Sequence, residues 1–326
     1  MRIALFLPHV GVFGGVRRFV ELGNAWSALG HEVTLFHPAG TPPGWLPFAG
    51  RTLPLEAASS EASDVAFGAD PHTFAAFVTH RSGAHVYYCV IEGDPGVARA
   101  LAEPDVRLAA NSGALLKALR RRAHAPVLDG IGGINTRQFT PDATRRAQRP
   151  LRVLVNGRRS RAKKGTDLVL AALAPLVGRV PGFEIVLFDS VGEGNVQDPR
   201  RGAPLPPNAR FVLDPTQAEL VALYQSAHVF IAAERKAGWC NTALEALACG
   251  AALVCTPSGT ADFARDRENA RVVRWRNRWT LRAAAAELLR DPALRERLGA
   301  AGPATAERWS WDTLAAKLIA QVLGRR

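Results

Sequence analysis

The feature that most constrains this chain is an alternation that runs nearly end to end and is interrupted once. Apolar runs of buried-strand length are each followed by a stretch with helical spacing. "RIALFLP" leads into the Gly-rich "HVGVFGG" and then a helix carrying Val16, Phe19, Leu22, Trp26 and Leu29. "GHEVTLFHP", "DVAFG", "HVYYCVI" and "VRLAAN" continue as strands with helical segments between them. The pattern lapses in "TPDATRRAQRP", which is charged and poor in apolar residues, and reads as a linker. It then restarts: "LRVLVNG", "FEIVLFD", "ARFVLD", "VFIAAE" and "AALVCTP" are strands, and "TDLVLAALAPLV" and "AELVALYQSA" are helices. Strands buried on both faces and alternating with helices form parallel sheets covered by helices. The expectation is α/β: two doubly wound, Rossmann-like parallel-sheet domains facing across a cleft, over 1–147 and 148–305. A last helix, 306–326, is expected to pack back on the first domain. Ligands of such sheets sit at the carboxyl ends of the strands, so functional residues belong in the loops just after them.

Bulk properties exclude several classes. No apolar run reaches the roughly 18 residues of a membrane span, and the N-terminus has neither the apolar length nor the cleavage site of a signal peptide. Cys89, Cys240, Cys249 and Cys255 form no CxxC pair and no cluster with histidine, so neither structural zinc nor a disulfide framework is expected. A reducing cytoplasm is the natural location. Against 29 Asp and Glu stand 41 Lys and Arg, a formal charge of +12, which favours an anionic partner: a phosphorylated substrate, an acidic membrane surface or nucleic acid.

The first loop separates the nucleotide chemistries. Gly11, Gly14 and Gly15 do not make G-x-G-x-x-G, and the second strand ends "TLFHP" without an acidic residue for a ribose, which disfavours a dinucleotide site. Lys164-Gly165-Thr166 has the wrong order for a P-loop. Gly14 and Gly15 opening a helix remain as either a tight turn or an anion site. The denser signal follows "LRVLVNG", where Arg158, Arg159, Arg161, Lys163 and Lys164 fall within one loop. Such a run is either a solvated loop or, at a strand end facing the cleft, a clamp for diphosphate charge. In "AERKAGWCNTALEALACG", Thr242-x-x-Glu245 ahead of an apolar run reads as a helix-capping box, while the same helix start is also a place for an anion.

Together these segments resemble the nucleotide-sugar glycosyltransferases of the GT-B fold, specifically the retaining glycosyltransferase family 4. The resemblance rests on "GGVRRFVELGNAWSALGHEVTLF", "GGINTRQFTPD" with Asn135 where aspartate is usual, and "NGRRSRAKKGTDL". It continues through "ELVALYQSAHVFIAAE", "NTALEALACGAALVCT", "GTADFARDRENARVV" and the late "WSW". It implies a nucleotide-diphosphate-sugar donor, of UDP or GDP type, with no further cofactor. Glu245 matches the second glutamate of the family's E-x7-E motif and would hold the donor ribose. Trp239 and the backbone of Cys240, Asn241 and Thr242 would face the diphosphate and sugar. Arg159 and Lys164 would clamp the diphosphate, with Arg158 competing for the role, and Gly14 and Gly15 would close on it.

Besides Asn135, the chain departs from the pattern at two positions. Ala237 stands where the first glutamate of E-x7-E belongs, with Glu234 nearby as a substitute. Ala69 stands where the family often has a histidine, with Asp70 and His72 close in sequence. Glu92, in "VIEGD" after a strand, is a candidate for the acceptor side. No D-x-D motif ends a strand, in agreement with a metal-independent reaction. The expected activity is transfer of a sugar to a hydroxyl acceptor with retention, on an envelope lipid or glycan. The basic run Lys117 to Arg122 would face anionic lipid at the inner face of the membrane. The alternatives are a DNA-modifying glycosyltransferase and a catalytically weak sugar-nucleotide-binding partner subunit.

Overall fold

A computed structural model of the chain describes residues 1–91, 93–180, 182–191, 198 and 200–324. It divides into two compact units, Met1–Gly133 with Trp309–Arg326, and Ile134–Arg308.

The strands of the first unit are β1 (Arg2–Phe6), β2 (Glu32–His37), β3 (Arg51–Pro54), β4 (Ala62–Ser63), β5 (Val65–Gly68), β6 (Arg81–Ser82), β7 (His85–Cys89), β8 (Val106–Ala110) and β9 (Leu128–Asp129). Its first helices are α1 (Gly14–Ala28), α2 (Phe74–Thr79), α3 (Gly96–Ala102) and α4 (Gly113–Arg120). Among the described residues the main sheet has seven strands in the order β3-β2-β1-β5-β7-β8-β9, every pair parallel, with β4 and β6 paired separately. Successive side chains on a strand point to opposite faces. Ile3 and Leu5 therefore join one apolar layer with Val33, Leu35, Val65 and Phe67. Ala4 and Phe6 join the other with Phe36, Ala66, Phe77 and Tyr87. Val16, Phe19, Leu22 and Trp26 of α1 are buried as their spacing predicts, whereas Leu29 lies just past the helix and is 51% exposed.

The second unit contains α5 (Ala143–Arg146), β10 (Leu151–Asn156), α6 (Thr166–Leu173), β11 (Phe183–Asp189), β12 (Ala209–Leu213), α7 (Gln217–Ser226) and β13 (Val229–Ala232). It continues through α8 (Asn241–Ala248), β14 (Ala252–Cys255), β15 (Ala270–Val272), α9 (Arg278–Arg290), α10 (Pro292–Ala300) and α11 (Gly302–Glu307). The strands form one parallel sheet in the order β12-β11-β10-β13-β14-β15. Counted within the unit this is 3-2-1-4-5-6, the order of a doubly wound nucleotide-binding fold. Val153, Val155, Ile185, Leu187 and Ile231 pack beneath Val169 and Leu173 of α6 and Leu281 and Leu288 of α9. Each such side chain contributes about 1.5–3 kcal/mol by leaving water.

The last helix, α12 (Trp311–Val322), clusters with the first unit. The Trp26 indole of α1 donates to the Ala315 carbonyl at 3.0 Å, and Arg18 lies 5.2 Å over the Trp311 ring. The division between units falls at Gly133, earlier than the linker expected at 140–150. The reason is local. Asp142 caps α5, and the Arg146 guanidinium donates to the carbonyls of Gln225, Cys249 and Gly250, which fastens that stretch to the second unit.

Candidate functional site

In the second unit the strand order reverses between β10 and β13, so their carboxyl ends open the crevice where such sheets bind ligands. Two loops meet there. The first, 157–165, begins and ends on Asn156: its side chain accepts from the Arg158 N–H at 3.0 Å and its carbonyl from the Thr166 hydroxyl at 2.9 Å. The second, 233–240, follows β13. The Arg235 N–H donates to the Lys163 carbonyl at 2.8 Å, and Arg276 donates to the carbonyls of Ala233 at 2.7 Å and Ala162 at 3.3 Å. Gly165 is required at this junction. Its φ is +77°, and a Cβ there would lie 2.3 Å from the Ala233 carbonyl oxygen.

At the junction Lys164 Nζ meets Glu234 Oε1 at 2.8 Å, and the Cys240 thiol points at the same oxygen from 3.4 Å. The Glu234 side chain is 8% exposed and that of Lys164 is 25% exposed. Burial works against the ammonium charge, but Glu234 and Cys240 outweigh it and hold the Lys164 pKa above its usual value. The next residue shows how much positive charge collects here: burial, then Lys164 and Arg161, push the Lys163 pKa down.

The two arginines are held by carboxylates. Arg158 makes a forked pair with Asp189 at the end of β11, with Nη2 to Oδ1 at 2.8 Å and Nε to Oδ2 at 3.1 Å. Arg159 bonds Asp167 at 2.7 Å and the Ala203 carbonyl at 2.9 Å, and its side chain is only 3% exposed. Of the three expected phosphate clamps, Lys164 is the most exposed.

The start of α8 corrects one expectation. Cys240 is the N-cap residue and no side chain caps the helix. Thr242 therefore lies inside the first turn and Glu245 one residue beyond it, so the Thr242–Glu245 capping box does not form. The same signature does form a box at α7, where Thr216 and Glu219 satisfy each other. Glu245 is buried and accepts the Tyr224 hydroxyl at 2.8 Å, with Tyr224 wedged among Phe139, Phe188 and Phe230. Trp239 packs edge-on against Phe263, and the Cys240 N–H donates to the Gly259 carbonyl at 2.8 Å. The Ala237 N–H bonds the Ser258 hydroxyl at 2.9 Å, and Lys236 beside it holds a φ of +59°.

One unit thus assembles Arg158, Lys164, Glu234, Trp239, Cys240, Asn241, Thr242 and Glu245 around a helix start that side chains leave uncapped. Asp189, Asp167, Tyr224 and Arg276 complete it and escaped the sequence reading. Asp189 carries one local signal, a carboxylate at a strand end, that does not name its partner, and the other three carry none. Gly14, Gly15, Asp70 and His72 belong to the first unit, at the ends of β1 and β5, where that sheet also reverses. No side chain caps α1, and a Cβ at Gly15 would meet nothing within 4 Å. Asp70 accepts both the backbone N–H and the ring Nδ1 of His72 at 2.8 Å, and the His72 ring is 83% exposed. Glu92 lies outside the described residues. Among those described, no group of three His, Cys, Asp or Glu is placed to hold a metal ion, and no helix is long and apolar enough to cross a membrane.

The sequence model of the family "Glycosyl transferases group 1" matches residues 137–305, just over half of the chain and nearly all of the second unit. The chain belongs to that family. This glycosyltransferase is similar in structure to sucrose-phosphate synthase from Thermosynechococcus elongatus, with a TM-score of 0.76, 18% identity and 99% of each chain covered. Its similarity to Anabaena HepE, solved in complex with UDP and glucose, has a TM-score of 0.76 at 12% identity over 99% of each chain. A glycosyltransferase from Rickettsia africae gives 0.75 at 12% identity, over 100% of this chain and 99% of that one. At these identities the likeness establishes the GT-B fold. No curated protein matches the sequence.

Proposed function

We propose that this glycosyltransferase binds a nucleotide-diphosphate sugar at the carboxyl end of the second unit's sheet and transfers the sugar, with retention, to a hydroxyl acceptor. The observation that carries the reading is the Lys164–Glu234 pair beside the uncapped start of α8. Transfer breaks the bond from the anomeric carbon to the diphosphate oxygen, and the departing diphosphate gains negative charge. Lys164 exchanges its carboxylate partner for that charge, and the helix start meets it with N–H groups and the positive end of its dipole. Glu245 holds the ribose hydroxyls, and Trp239, Cys240, Asn241 and Thr242 border the sugar and diphosphate. Arg158 and Arg159, tied to Asp189 and Asp167, stiffen the phosphate loop and add to its positive field.

That HepE was solved with UDP and with UDP-glucose supports a uridine diphosphate sugar as the first donor to try. The reading is metal-independent, because fixed cations and a helix start neutralise the leaving group. The acceptor is an envelope lipid or glycan. The exposed Lys117, Arg120, Arg121 and Arg122, at and beyond the end of α4, support approach to an anionic membrane surface from the cytoplasmic side. Asp70, His72 and Glu92 are proposed on the acceptor side. Slow hydrolysis of UDP-sugars, followed by proton NMR with and without EDTA, tests the reaction. Release of the α-anomer from an α-linked donor, unchanged by EDTA, is expected. Release of the β-anomer contradicts retention, and loss of activity in EDTA contradicts metal independence.

A second reading has one specific observation behind it. Ala237 offers only its N–H, to Ser258, where the family places a carboxylate. A donor-binding partner subunit without its own activity would bind UDP-sugars and neither hydrolyse nor transfer them.

A further inference from the structure

A second candidate site lies at the opposite edge of the same sheet. Arg149, His228 and Gly250 stand just before β10, β13 and β14, at the amino ends of the strands, whereas the donor loops leave the carboxyl ends. Together with Arg146 of α5 and Arg295 of α10 they line a cavity of about 500 Å³. The size falls within the ~300–1,000 Å³ of small-molecule pockets and exceeds what a bare inorganic ion fills.

Cations outnumber carboxylates in the wall of this cavity. Among the described residues Arg146, Arg149 and Arg295 make no ion pair, although the neighbouring Arg145 and Arg152 do. Arg295 is 8% exposed and reaches the Leu288 carbonyl at 2.7 Å, and Arg146 bonds backbone carbonyls while its buried Nε has no partner. Two carboxylates also line the cavity. Asp142 caps α5 and pairs with Arg145, and Glu296 is exposed. His228 fixes the polarity at the centre. Its Nδ1 accepts the Arg152 N–H at 3.0 Å, so the neutral ring carries its proton on Nε2. Arg149 Nη1 lies 3.3 Å from that Nε2, and a guanidinium only donates. Two donors thus face each other, with the Arg146 backbone carbonyl the acceptor on that side. Burial first, then Arg149, Arg295 and Arg146, push the His228 pKa down to about 4, which reports the same positive surroundings.

We infer that this cavity binds a small phosphomonoester, its phosphate held by Arg146, Arg149, Arg295 and the His228 Nε2–H and its organic body lying against the Ala and Pro residues of the wall. The site is separate from the donor loops and does not depend on the proposed reaction. The phosphate supplies the negative charge that the three guanidiniums, bonded so far only to neutral groups, lack, and phosphate recognition by arginine is strong because its donors match the anion in pairs.

The test uses the full chain and two probes, glucose 6-phosphate and inorganic phosphate, against chloride at equal ionic strength. The ring signals of His228, assigned with His228→Gln, are followed by NMR through a pH titration, and binding is measured by calorimetry. Glucose 6-phosphate is expected to bind with a Kd of about 1 mM or tighter and to raise the His228 midpoint by roughly one pH unit. Arg149→Gln changes an exposed side chain and is expected to weaken binding about tenfold with the melting temperature unchanged. Arg295→Lys, which keeps the charge, is expected to weaken it by a similar factor. The inference is overturned if glucose 6-phosphate leaves the ring signals unmoved at ~10 mM. Equal shifts with chloride, or undiminished binding in both variants, also overturn it. Inorganic phosphate binding as tightly as the sugar phosphate overturns the organic part of the assignment.

Discussion

Replacing Lys164 by methionine separates what the Lys164–Glu234 pair does for stability from what it does for binding. At 2.8 Å the attraction is about 6 kcal/mol in a medium of effective dielectric ~20, before desolvation is counted. Removing one partner of a buried pair costs about 3–5 kcal/mol, because the other charge is left without compensation. Here the lysine keeps some contact with water, so a cost of about 2–4 kcal/mol is expected for Lys164→Met. Glu234→Gln leaves the more exposed partner alone and should cost about 1–2 kcal/mol. The double variant removes both charges and should be more stable than the sum of the two by about 2 kcal/mol. Urea unfolding with unchanged m-values measures all four proteins. Under the proposed function binding must behave differently: the double variant regains stability but not affinity for a nucleotide diphosphate, because Lys164 is proposed as the phosphate contact. Strict additivity would refute the coupling, and restored nucleotide binding in the double variant would refute the role of Lys164.

Three further outcomes follow from the same geometry. Gly165→Ala combines a left-handed φ with a contact 2.3 Å from the Ala233 carbonyl, so it should cost at least ~2 kcal/mol in urea unfolding and weaken nucleotide binding; a neutral substitution contradicts the close approach. The His228 pKa of about 4 lies below the usual 6.5, so the unfolded chain takes up a proton that the folded chain refuses. Stability should be flat above pH 6.5 and fall by about 2 kcal/mol towards pH 4, the full value being reduced for screening, and His228→Asn should flatten that slope. Burial raises the Cys240 thiol pKa and pushes Cys89, Cys249 and Cys255 up to about 12, so a thiol reagent should titrate the four cysteines only after denaturation; rapid reaction of the native protein contradicts their burial.

The layout of the fold was legible because it is written in local periodicity. Runs such as "LRVLVNG" and "FEIVLFD" are apolar on both faces, and that alone calls for parallel strands between helices. The basic loop was legible too, since five Arg and Lys residues follow directly on the strand "LRVLVNG"; the left-handed turn at Gly165 came only with the structure. What the sequence hid is non-local. Nothing near Arg158 announces Asp189, 31 residues away, and nothing near Glu245 announces the Tyr224 hydroxyl 21 residues before it. Thr242-x-x-Glu245 and Thr216-x-x-Glu219 look alike, yet only the second caps a helix, because α8 begins one residue before Thr242. The unit boundary was misplaced for a similar reason. Residues 140–150 have a linker's composition, but Arg146 reaches carbonyls about a hundred positions away and binds them to the second unit.

The most direct measurement of the central claim is hydrogen exchange of the backbone amides with and without a saturating nucleotide diphosphate. A donor held by Lys164, Glu245 and the start of α8 protects the amides of 157–165 and 234–245 and slows their opening in proportion to the occupancy of the site. Protection concentrated in those two segments, and lost in Lys164→Met/Glu234→Gln, is the predicted result. Nucleotide binding that leaves both segments unprotected contradicts the account.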